Sequence, residues 1–254
     1  MNVYFLGTGT SQGIPVIGSQ DPVCLSTDAR DKRLRVSVWV FDENFSIVID
    51  CGPDFRAQML QSGCSRIDAL LFTHEHADHT AGLDDIRPFF FKQGAIPVYA
   101  HNRVLKNLAR RFDYIFEDEN KYPGAPSVIP IAVQNNETFM VKEQTIIPIN
   151  ADHGGLQVFG YRMNDFVYLT DVKTIDDAEL EKIKGVKVLV INVLRKEPHP
   201  THFNLEEALM FIEKIQPEKT YFTHISHHFG FHADMEHQLP ENVFFAYDNL
   251  KITI

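Results

Sequence analysis

The sequence is short of several things, and each shortage removes a class of protein. It has three cysteines, Cys24, Cys51 and Cys64. So small an odd number builds no disulfide framework and suits a reducing compartment, so a cytoplasmic location is expected. No run approaches the ~20 apolar residues needed to span a bilayer. The opening Met1-Asn2-Val3-Tyr4-Phe5-Leu6-Gly7 lacks the basic start and long apolar stretch of a secretory leader, and no membrane partner is expected. Positive charge is scarce as well, with 24 Lys and Arg against 34 Asp and Glu and a formal net charge of -10. Without a Lys/Arg-rich insertion, long nucleic acid is not an expected ligand; a nucleotide would need metals or local cations to reverse the sign. No repeat, low-complexity tract or linker-like stretch divides the 254 residues, which read as one domain, 1–254.

What is present is ample core material, 44% hydrophobic with 20 Phe, and an unusual 12 histidines. Strands are predicted at Asn2–Leu6, Arg35–Phe41, Phe45–Ile49, Ala69–Phe72, Val98–Ala100, Ile146–Ile149, Phe166–Leu169, Val188–Ile191 and Tyr221–Phe222. Helices are predicted at Pro53 to about Gln61, Arg103–Phe112, Asp176–Ile183 and Asn204–Ile215. The last opens on Asn204 and Glu207 in capping-box spacing. The acidic, aromatic stretch Asp113–Pro126 reads as a loop or lid. The whole suggests two β-rich halves with helices outside, a four-layered α/β sandwich.

The densest chemistry lies in Thr73-His74-Glu75-His76-Ala77-Asp78-His79, directly after the buried run Ala69–Phe72. Alternate residues of an extended segment share a face, so His74 and His76 can hold one cation while Asp78 and His79, at a helix start, reach a second. Three apolar runs end in Thr followed at once by a candidate ligand: Thr73-His74, Thr170-Asp171 and Thr223-His224. A fourth, Ile146–Ile149, leads into Asn150-Ala151-Asp152-His153-Gly154-Gly155. Strand ends of this kind can converge on one edge of a sandwich.

In this order, Asp50, His74-x-His76-x-Asp78-His79, His153, Asp171 and His224 resemble the signature of the metallo-β-lactamase superfamily. Gly7-Thr8-Gly9-Thr10-Ser11-Gln12-Gly13-Ile14-Pro15, Thr201-His202-Phe203-Asn204 and Thr223-His224-Ile225-Ser226-His227 are similar to its PhnP-like cyclic phosphodiesterases. The resemblance implies the αββα metallo-β-lactamase fold and two divalent metal ions, zinc first, with manganese also suited to nitrogen and oxygen donors. It implies His74, His76 and His153 on one ion, Asp78, His79 and His224 on the other, and Asp171 bridging. Asp50 would orient ligands without touching metal.

Two ions about 4 Å apart can share a water, lower its pKa and offset charge on a phosphoryl oxygen. Asp78 and His202 are the residues expected to act in catalysis, His202 as proton donor to the leaving group. The expected activity is hydrolysis of a small cyclic or nucleotide-like phosphodiester. An RNA-processing nuclease, a thioester or lactam hydrolase and a purely structural metal protein are the alternatives. PhnP-like proteins often hold a further structural zinc on three cysteines and a late histidine. Here only Asp21, Cys24 and His227 match that set, and no tight third ion is expected. Arg87 can reach a substrate phosphate or pair with Asp84 or Asp85, and Phe89-Phe90-Phe91 is core or a homodimer contact.

Overall fold

The structure, a computed structural model, describes residues 1–117 and 121–254. The first half of the chain supplies β1 (Asn2–Gly7), β2 (Ser37–Phe41), β3 (Ser46–Ile49), β4 (Ala69–Leu71), β5 (Ile96–His101) and β6 (Val128–Val133). The second supplies β7 (Phe139–Val141), β8 (Gln144–His153), β9 (Leu156–Met163), β10 (Phe166–Leu169), β11 (Val188–Asn192), β12 (Lys219–Thr223), β13 (Val243–Phe245) and β14 (Lys251–Thr253). Helices α1 (Pro22–Leu25), α2 (Phe55–Ser62), α3 (Ala77–Thr80), α4 (Arg87–Gln93), α5 (Asn102–Arg111) and α6 (Asp113–Phe116) belong to the first half. The second half adds α7 (Asp177–Leu180), α8 (Leu205–Ile215) and α9 (His232–Glu236). Among the described residues the strands form two seven-stranded sheets, β14-β1-β2-β3-β4-β5-β6 and β13-β12-β11-β10-β9-β8-β7.

Side-chain alternation builds the layers. In β3 and β4, Ile47, Ile49, Ala69 and Leu71 point between the sheets, where they meet Phe166, Tyr168, Val188 and Val190 of β10 and β11. The intervening Val48 and Leu70 pack outward on the first half's helices, and Val167, Leu169, Leu189 and Ile191 on the second half's. Strands buried on both faces read as continuous apolar runs, as these do. Two sheets inside and helices outside give the expected αββα sandwich. Asn204 and Glu207 close the expected capping box at α8.

Two readings are corrected. The strand predicted at Ile146–Ile149 runs on to His153, and Gly154 and Gly155, both at positive φ, turn it into β9. Polar Asn150 and Asp152 hid the continuation, although a Gly-Gly pair is a strong hairpin signal. The Asp113–Pro126 loop contains a helical turn, α6; part of the lid reading, residues 118–120, lies outside the described residues. Beyond these corrections, the halves repeat in backbone although, as expected, no repeat shows in sequence. Strands β14, β1, β2 and β3 pair antiparallel and β3 to β6 parallel; β7 to β10 pair antiparallel and β10 to β13 parallel.

One buried pair beneath the sandwich's rim makes stability depend on pH. Arg33 donates to Thr8 Oγ1 at 2.7 Å, to Ala246 O at 2.6 Å and to His232 Nδ1 at 3.0 Å. Arginine only donates, so Nδ1 accepts and the neutral ring carries its proton on Nε2. Burial, then Arg33 and Arg30, push His232 down to about 4 from 6.5. The unfolded chain binds the proton first, so this contribution is complete above about pH 6.5, declines as pH falls and levels off below about 4. His232→Gln, which keeps an acceptor for Arg33, is expected to flatten the decline in urea unfolding between pH 7 and pH 4. Equal slopes for the two proteins would refute it.

Candidate metal centre

The edge of the sandwich where β3, β4, β8, β10 and β12 end gathers the histidines and carboxylates. His74 follows β4, His153 is the last residue of β8, and Asp78 and His79 lie in α3. Asp50, Asp171 and His224 follow β3, β10 and β12 at φ of 64°, 57° and 56°. That left-handed region costs an L residue about 1–3 kcal/mol, and it turns each side chain sharply off its strand direction. Close backbone approach completes the scaffold. A Cβ on Gly52 would lie 2.1 Å from Asp78 O, and one on Gly82 2.1 Å from Gly52 O. Glycine there lets Cys51 N reach His79 O at 2.7 Å and Gly82 N reach Cys51 O at 2.9 Å, tying α3 to the end of β3.

The donor atoms converge in overlapping groups, each within 4.8 Å: His74, His76 and His153; His74, His79 and Asp171; Asp78, His79 and His224; His153, Asp171 and His202. The structure thus brings together every residue expected as a ligand, and adds His202, expected only as a proton donor. Asp50 stands outside these groups. Its Oδ2 accepts from His79 Nδ1 at 2.7 Å and from Thr73 Oγ1 at 2.9 Å, and its Oδ1 accepts from Thr73 N at 2.9 Å. Thr73 Oγ1 in turn lies 3.0 Å from His74 Nδ1 and accepts its proton. His153 Nδ1 donates to Thr201 O at 2.7 Å. Three imidazoles therefore have Nδ1 committed as donor, which leaves Nε2 of each as the atom that faces the centre.

Two inner atoms, Nε2 of His79 and Nε2 of His224, lack partners of their own. His74 Nε2 lies 2.9 Å from His76 Nδ1 and, with its own Nδ1 already donating, accepts the His76 Nδ1 proton. His79 Nε2 lies 3.3 Å from Asp78 and 3.2 Å from Asp171, yet it and His224 Nε2 are buried without a hydrogen bond. Burial alone would lower His79, but Asp171, Asp78 and Asp50 override it and hold the ring well above its usual value. Asp171 stays well below the carboxylate range; burial opposes this, and His224 and His79 outweigh it. Burial and His79 push His74 well down. The pocket calls for positive charge, and its nitrogen and oxygen donors fit divalent cations. His202, held down to about 3 by burial and by His224, is a neutral ring whose Nδ1 lies 3.7 Å from Asp171.

Other candidates fall elsewhere. Cys24 Sγ accepts from Val16 N at 3.4 Å and Asp21 caps α1 through Val23 N at 2.9 Å. Neither joins His227 in a donor group among the described residues. Arg87 pairs with Asp84 at 2.5 Å and also donates to Gly124 O. Phe89 is buried in the outer core, while Phe91 is 64% exposed. The sequence reading missed Arg103 and Arg111, which hold Glu75 from α5; their helix was legible, but nothing local marks what they face.

A family model described as a β-lactamase superfamily domain matches residues 46–225, and the chain belongs to the metallo-β-lactamase superfamily. Within it, the chain is PhnP-like. A crystal structure of a diphosphatase from the PhnP family superposes with a TM-score of 0.92 at 38% identity, covering 100% of this chain and 97% of that one. A Porphyromonas gingivalis protein named octanoyltransferase is 38% identical over 100% of this chain and 52% of its own length. Ribonuclease Z of Bacillus licheniformis is 28% identical over 73% of this chain and 55% of its own. The chain spans about half the length of these two curated relatives. No helix among the described residues is long and apolar enough to cross a membrane.

Proposed function

We propose that the chain is a two-metal hydrolase of small cyclic or nucleotide-like phosphodiesters. The observation that carries the reading is the meeting of six histidines with the Asp171 and Asp78 carboxylates from separate strand ends and turns, with Nε2 of both His79 and His224 buried and unpartnered. His74, His76 and His153 would hold one divalent ion and Asp78, His79 and His224 the other, with Asp171 reaching both sets. Zinc suits the donors best, and manganese also fits. Such ions supply an activated water and Lewis acidity toward a phosphoryl oxygen. The chain's own residues do the rest. Asp50 and Thr73 fix the tautomers of His79 and His74, and Asp78 keeps a carboxylate beside the reacting centre. His202 would give a proton to the departing oxygen from a loop anchored by the α8 cap, once its neutral ring has taken one up beside the anionic substrate.

A diphosphate bond is a second reading, favoured by the 38% identity to a PhnP-family diphosphatase across the whole chain. The ribonuclease Z similarity also points to phosphorus–oxygen bonds, whereas the octanoyltransferase name points to an acyl group. A panel of bis(p-nitrophenyl) phosphate, a 2′,3′-cyclic nucleotide, a dinucleoside diphosphate, structured RNA and an acyl thioester separates these with the zinc- or manganese-loaded protein. Turnover of a small phosphodiester is expected to exceed thioester turnover by more than about 100-fold and to vanish with chelator. A preferred thioester, or activity untouched by metal removal, would sink the proposal. His202→Ala is expected to slow an alkoxide leaving group about 10²-fold or more, and p-nitrophenolate less, because a stable leaving group needs no proton.

A further inference from the structure

We propose that the α5–α6 hairpin is a brace that sets the shape of the ligand-bearing turn through Glu75, with Arg103 as its positioning residue; this rests on the metal-centre reading above. Glu75 lies between His74 and His76, so alternation sends its side chain away from the donors and toward α5. There Arg103 Nε lies 2.8 Å from Glu75 Oε1, and Nη2 donates to Oε2 at 3.0 Å. The same Nη2 donates to Gln157 O at 2.6 Å, which fastens the pair to β9. Arg111 Nη1 reaches Glu75 O at 3.1 Å and Thr80 Oγ1 at 2.8 Å, and Thr80 Oγ1 donates to His76 O at 2.8 Å. Tyr114 of α6 donates to Asp84 at 2.9 Å, just past the turn.

The turn that carries His74, His76, Asp78 and His79 is thus gripped near its two ends, at Glu75 and at Thr80, by arginines of α5. The grip has a second effect. Glu75 is a carboxylate in a ligand-dense turn yet belongs to none of the donor groups among the described residues. Its side chain is 16% exposed, with Oε2 hydrogen-bonded to Arg103 and Oε1 in ionic contact with the same guanidinium. The ion pair therefore orients the two histidines and withholds a competing oxygen ligand from the site.

Arg103→Ala, Arg103→Lys, Glu75→Gln and the Glu75→Gln/Arg103→Ala double variant test this, with zinc affinity measured by chelator competition. Arg103→Ala is expected to weaken zinc binding about 10- to 100-fold, the range typical of outer partners of metal ligands. It should lower kcat and leave KM nearly unchanged. Arg103→Lys, which keeps the charge, should recover part of the loss, and the double variant should be no worse than the poorer single. In metal-free protein, amide exchange across residues 74–80 should be faster in Arg103→Ala than in wild type. Wild-type zinc affinity and exchange in Arg103→Ala, or fully additive single effects, would overturn the brace. If Arg103→Ala does not fold, Arg103→Lys carries the same comparison. If the wild type itself takes up no zinc, the metal-centre reading fails, and the exchange comparison still decides on the brace.

Discussion

Asp171→Ala is expected to lower kcat/KM about 10³-fold or more and to weaken binding of both ions together. The size follows from charge stabilisation worth several kcal/mol, at about 1.4 kcal/mol per tenfold. The geometry sets which residue should be worst. Asp171 oxygens lie 3.2 Å from His79, 3.3 Å from His224, 3.7 Å from His202 and 3.8 Å from His153, so one carboxylate touches the donors of both sets. Truncation removes the shared charge and leaves four imidazoles facing one another. Cys24→Ser is the contrast, since its sulfur accepts only a backbone proton from Val16 and turnover should be largely unchanged. Metal content and kinetics of the two folded variants check this; a greater loss in the Cys24 variant would overturn the site.

Asp50→Asn should be nearly as damaging although it changes one atom and touches no expected ion position. The aspartate accepts three hydrogen bonds and donates none. An asparagine must turn its amide N–H₂ toward either Thr73 or His79. If it faces His79, Nδ1 becomes the acceptor, the ring proton moves to Nε2, and the atom aimed at the centre can no longer bind a cation. If it faces Thr73, a buried amide N–H and an N–H₂ clash, at about 1–3 kcal/mol for each unmet group. Zinc affinity is therefore expected to fall about 10- to 100-fold with the fold intact. Near-wild-type affinity in Asp50→Asn, with a thermal midpoint matching the parent, would show that the tautomer chain is unimportant.

The readings that came from sequence succeeded where the signal is local. His74 to His79 announce themselves because six consecutive residues carry four donors. Thr73, Thr170 and Thr223 mark strand ends because each follows directly on a short apolar run. The capping box of α8 depends on two residues three apart. What stayed hidden depends on partners far along the chain. Glu75 and Arg103 are separated by 28 residues, and neither carries a pattern that names the other. The left-handed backbone at Asp50, Asp171 and His224 is equally silent, because aspartate and histidine at a strand end do not demand positive φ as glycine does. The duplicated strand order escaped because strand direction is a backbone property that unlike side chains can share.

That duplication divides the donors. Strands β1–β6 and their loops carry His74, His76, Asp78 and His79, while β7–β13 carry His153, Asp171, His202 and His224. Neither half of the molecule owns a full coordination sphere. A bound cation would act as a rivet through the seam, so a small slip of one half along the other would disarm the protein while every helix remained wound.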